Sequence, residues 1–175
     1  MNAFWAFFWP VIGFGLVAGV IAGLIGYRRR PGMLLVNYLR RRARVPIGGG
    51  VACILAALLW MGPLGGADRF TAAVEREVHA SLVYNEMTMM QAHLHHHPLT
   101  RRIALSGPAD DFQRGALAEA LSALPGVSNA YWGSADGGLP LAAEAAIAAL
   151  LGYAIGLVLA YFVELRRRYN AQWSW

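Results

Sequence analysis

Apolar and polar positions divide the chain into three long greasy runs and two polar stretches of different character. Met1–Tyr27 contains no charged side chain, and neither does Pro46–Ala67. Leu139–Val163 contains one, Glu144, near its start. Crossing the hydrocarbon core takes roughly 20 apolar residues of helix, so each run predicts a transmembrane helix, placed at 1–27, 47–66 and 139–163. The first run precedes its basic cluster, "YRRRP", and lacks a basic start, which reads as a retained span and not a cleaved leader.

Between the second and third runs the period changes. "DRFTAAVEREVHASLVYNEM" places Phe70, Val74, Val78 and Leu82 at helical spacing, with Asp68 positioned to cap. "TMMQAHLHHHP" reads as a strand stopped by Pro98, and "RRIALSG" as a second strand. "PADDFQRGALAEALSALPG" reads as a helix with Pro and acids at its start and Pro-Gly at its end. "VSNAYW" is a third, short strand. The expected fold is therefore membrane α-helical, with three transmembrane helices, plus a small α+β extramembrane domain over 67–138 of α-β-β-α-β order.

That order, with the strand ending Leu105-Ser106-Gly107, a helix bearing Arg114, and the Gly126-Val127 pair before the last strand, resembles the BON domain of bacterial envelope proteins. The resemblance implies a periplasmic module that binds lipid or protein surfaces and carries no catalysis. It covers about 60 residues and a single copy, and "LHHHP" falls where the family has a plain strand and turn.

Composition supports the membrane reading. Charged residues are 14% of the chain, against about 25% for a typical soluble domain. The net charge of +5 is carried entirely by Arg, and its placement argues against a nucleic-acid partner. Arg28, Arg29, Arg30, Arg40, Arg41, Arg42 and Arg44 lie between the first two runs, and Arg166, Arg167 and Arg168 follow the third. The 67–138 segment has five Arg against eight acids. The positive-inside rule then puts the N-terminus outside, the module in the periplasm and the C-terminus in the cytoplasm of a bacterial inner membrane. Trp5, Trp9 and Trp60 would mark the outer interface, and Tyr27, Tyr38 and Tyr169 the inner one.

Two faces of small residues predict helix packing. Gly15, Gly19 and Gly23 recur every four residues in the first run, as do Ala148, Gly152, Gly156 and Ala160 in the third. The pattern leaves open whether the partner helix is internal. The 28–46 loop holds an apolar segment, Met33–Leu39, between Arg clusters, with Pro31-Gly32 and Pro46 at its ends. It predicts an interfacial helix on anionic phospholipid, or simply a basic topological lock. The lone Cys53 reads as a small packing residue.

Candidate chemistry is thin. On a strand His93, His95 and His97 would share a face, and His-x-His is a workable metal pair; a solvated sheet edge explains the same residues. Asp110-Asp111 fits the first turn of a helix, and Glu144 the membrane interface. No phosphate loop, nucleophile elbow or HExxH helix is present. The expectation is a non-enzymatic accessory subunit without a cofactor, packing on other membrane protein subunits and presenting its module to a partner. The alternatives are a free-standing envelope protein whose module binds phospholipid, and a metal-binding membrane protein using the His cluster.

Overall fold

A computed structural model describes residues 2–28, 32–87, 89–96, 98–133 and 137–172. The chain is mostly helical with one small sheet. Among the described residues five helices, α1 (Ala3–Tyr27), α2 (Leu35–Met61), α3 (Gly66–Tyr84), α4 (Asp111–Ser122) and α5 (Leu141–Gln172), join three strands, β1 (Gln91–His96), β2 (Leu99–Ser106) and β3 (Asn129–Trp132). α1, α2 and α5 are each long and apolar enough to cross a membrane. Two compact units result: Met1–Phe7 with Met61–Glu144, and Phe8–Trp60 with Ala145–Trp175.

The first unit is the α/β module. β1 and β2 form an antiparallel hairpin, and β3 lies parallel to β2 on its other side. The parallel pairing needs a crossover, which α4 supplies. Val74, Ile103, Leu105, Leu117, Leu121 and Leu141 are fully buried, and the Phe7 ring packs on Phe70 at 5.3 Å. Burying a side chain of that size contributes about 1.5–3 kcal/mol, so this small core accounts for the module's order.

The helix starts differ from expectation in one respect. Asp68 does not cap α3. Gly65, in the left-handed region at φ 69°, occupies the cap position with no side-chain bond, and Asp68 lies inside the first turn. There it still favours the helix through the dipole. Asp110 is a true cap for α4: the Gln113 amide donates to its Oδ1 at 2.7 Å, and its own amide donates to Gln113 Oε1 at 3.2 Å. This reciprocal pair satisfies two amides that a helix start leaves bare.

The second unit is a three-helix assembly of α1, α2 and α5 segments. α2 departs from the expected boundaries, because it runs unbroken through Pro46 and takes up Leu35–Arg44 as its first turns. Proline removes one helical donor, yet its fixed φ is compatible with a helix. The preceding Leu, Arg and Ala are good helix formers, whereas Gly48, Gly49 and Gly50 after it are not. The Pro46 carbonyl is also held from α5, where the Tyr153 hydroxyl donates to it at 2.6 Å.

Candidate functional site

The small-residue faces meet within this chain. A Cβ placed on Gly15 or Gly19 would overlap the carbonyl oxygen of Ala149 or Tyr153 on α5. On Gly152 or Gly156 it would overlap that of Ile12 or Leu16 on α1. At Gly23 it would run into the Ala160 side chain. The seam on α5 is buried at Ala145, Ala149, Gly152, Gly156 and Ala160, with Ala148 half-exposed beside it. α2 joins through Gly49, which approaches Ala22 and the Tyr153 hydroxyl, and through Cys53, whose thiol reaches the Ala149 carbonyl at 3.4 Å. Large apolar side chains face away from this seam: Phe14, Val17 and Ile21 on α1, Val51, Leu55 and Leu59 on α2, Leu151, Ile155 and Val158 on α5. Close backbone approach at small residues brings these helices together, and the bonds from Tyr153 to Pro46 and from Cys53 to Ala149 add to it.

The module has two distinct ends. At one, the start of β2 is fastened by Arg101, whose Nε donates to Glu144 Oε2 in the first turn of α5. Both side chains are about four-fifths buried, and the Arg101 guanidinium lies 5.2 Å over the Phe4 ring. Buried Thr100 bridges Pro140 beside them. Glu144 is thus half of an ion pair, a partnership that a separation of 43 residues hid from sequence reading.

At the other end α3 stops, β1 begins, β2 stops and α4 begins. Three large apolar side chains sit there almost bare: Tyr84 at 87% exposure, Met89 at 81% and Phe112 at 84%. Phe112 precedes buried Leu117 by five residues, about 140° round the helix, so the α4 face carrying it is not the core face. That angular offset was readable in the sequence. That the elements flanking Tyr84, Met89 and Phe112 end or begin at the same end of the sheet was not.

The residues of the Leu105-Ser106-Gly107 and Gly126-Val127 patterns shape these turns. Leu105 is buried and closes β2, while Ser106 is exposed. Gly107 has φ 130° with the Met89 carbonyl close by, and Gly126 has φ 102° against Val74 and Phe70. Both positions demand glycine on conformation and on space. Val127 is buried. Arg114 stacks 5.4 Å over Trp132, whose indole N–H donates to the Arg114 carbonyl at 3.0 Å, tying α4 to β3.

The histidines are dispersed by a bulge between Leu94 and His96. His93 is exposed, and His95 Nδ1 lies 2.9 Å from the Pro98 carbonyl, so it must carry the proton there. His96 Nε2 is 3.6 Å from Glu75. His97 lies outside the described residues. Among the described residues no three His, Cys, Asp or Glu gather as a metal site. Of the loop arginines, Arg28 follows α1, Arg40, Arg41, Arg42 and Arg44 occupy early turns of α2, and Arg29 and Arg30 lie outside the described residues. Asp110 and Asp111 serve the start of α4. No family model, curated protein or solved structure matches this chain.

Proposed function

We propose that this chain is a three-span inner-membrane protein without catalysis, an accessory subunit that holds a small recognition module in the periplasm for a protein partner. Three spanning-length helices with large apolar side chains outward support insertion, since such a belt in water would be an aggregation surface. The Arg clusters around α1, α2 and the end of α5, set against a mildly acidic module, favour the N-out, C-in orientation. BON-like identity of the module is part of this reading and rests on its strand-end glycines and element order alone.

The observation that carries the docking role is the exposure of Tyr84, Met89 and Phe112 at the end of the module where α3 and β2 stop and β1 and α4 begin. Aromatic residues and Met are enriched at protein interfaces, and a module with so small a core exposes three of them at one end. The opposite end of the module is tied internally through Arg101 and Glu144.

The test is native electrophoresis of the full chain purified in mild detergent. Wild type should migrate in a larger assembly, and the triple replacement Y84S, M89S, F112S should migrate alone while keeping its helical circular dichroism. Wild type migrating as a lone chain would end the accessory-subunit reading.

A further inference from the structure

The Arg-bearing ends of the helices in the second unit border a depression of about 100 Å³, lined by Tyr27, Tyr38, Arg42, Tyr161, Glu164 and Arg168, with Leu165 beside them. We infer that it is a site for the phosphodiester headgroup of an anionic glycerophospholipid. The inference rests on the membrane reading above and deepens it from diffuse attraction to a defined site.

Part of the cluster is committed to structure. The Tyr27 carbonyl ends α1 without a helical donor, and it accepts from the Tyr38 hydroxyl at 3.3 Å and from Arg168 Nη2 at 3.2 Å. Arg168 also donates through Nε to Glu164 at 3.1 Å and through Nη2 to the Tyr38 hydroxyl at 3.3 Å. Glu164 is mostly buried and has Arg167 at 4.0 Å as well. Its charge is therefore answered from within α5.

Other donors are unspent. Arg42 lies 5.9 Å over the Tyr27 ring, and the Tyr27 and Tyr161 rings meet edge to face at 6.0 Å. Among the described residues Arg42 has no carboxylate partner, and the Tyr27 and Tyr161 hydroxyls have no acceptor. Arg42, Arg167 and Arg168 against Glu164 leave a surplus of two positive charges (three minus one).

A guanidinium and two hydroxyls around a concavity match the oxygens of a phosphodiester. Basic pockets between helices at a cytoplasmic membrane face suit anionic lipid headgroups. A lipid is favoured over free phosphate because Leu165 lines the site and Leu24, Ile25 and Phe162 are exposed on the adjoining turns, giving acyl chains an apolar path.

The test uses the full chain in detergent, titrated with phosphatidylglycerol and followed by native mass spectrometry. One saturable lipid per chain is expected. R42Q combined with Y161F should weaken binding about tenfold or more, since both remove hydrogen bonds to a charged group. R44Q removes the same charge from exposed α2 surface outside the depression and should leave the affinity within about twofold. Equal losses in R42Q and R44Q would mean diffuse attraction and overturn the site. Phosphatidylcholine binding as tightly, or inorganic phosphate displacing the lipid at equal concentration, would overturn the anionic-lipid assignment. Co-flotation of wild type with phosphatidylcholine vesicles is measured in parallel. Its absence defeats the membrane reading itself, whereas flotation with equal losses defeats only the site.

Discussion

The α/β module and the three-helix unit are built on opposite radial rules. In the module the largest apolar side chains, Ile103, Leu105, Leu117 and Leu121, are the most buried. In the helical unit the α1–α5 seam is built on Gly15, Gly19, Ala149, Gly152 and Gly156, with Phe8, Val11, Tyr38 and Tyr153 buried beside it, while Phe14, Leu55, Leu151 and Ile155 face out. One interior excludes water from bulky side chains, and the other brings backbones together so closely that a single methyl collides with a carbonyl. The difference teaches that the two units pack by two physical routes, which the proposed membrane placement of the helical unit would require. Burial of bulk stabilises where the surroundings are water, whereas close contact of small residues stabilises where the surroundings are as apolar as the side chains.

The contrast is sharpest in the response to side-chain volume. Ile103→Ala should destabilise the module by about 2–5 kcal/mol, because the fully buried site cannot collapse around the cavity. Cysteine-accessibility or proteolytic protection of the module within the full chain would record it. In the helical unit the sign reverses. Gly156→Leu should cost about 1–3 kcal/mol or more by forcing α1 from α5 at the Leu16 carbonyl, while Leu151→Ala, 62% exposed, should change thermal unfolding in detergent little. If the two replacements proved equally damaging, the proposed inversion would be wrong. The smallest effect belongs to the module's local grammar. Asp110→Ala should remove about 1 kcal/mol through loss of the cap on α4, seen as faster amide exchange at Gln113.

Much of this was legible along the chain. The three apolar runs announced α1, α2 and α5 by length alone, and period and turn residues between them foretold α3, β1, β2, α4 and β3 in order. Boundaries were less legible. Pro46 looked like a stop because local rules penalise proline in helices, but α2 runs through it, with the Pro46 carbonyl held by the Tyr153 hydroxyl. Asp68 looked like a cap because acids favour helix starts, a preference that an extra turn beginning at Gly66 satisfies equally well.

The proposed sites were the least legible. "HLHHHP" drew the eye as a ligand run, yet His95 lies against the Pro98 carbonyl and His96 near Glu75. The exposed end of the module and the Arg42 depression drew none, since neither is a run.

By itself the order of residues determined where greasy helix, strand and turn must fall, because hydrophobic period and backbone preference act over a few neighbouring positions. Only the tertiary structure decided that the glycine faces of α1 and α5 answer each other, that Arg101 meets Glu144, and that Tyr27, Tyr38, Arg42 and Arg168 converge. Those pairings join positions as much as 141 residues apart. Chain closure over such distances depends on the whole packed arrangement, and no local preference encodes it.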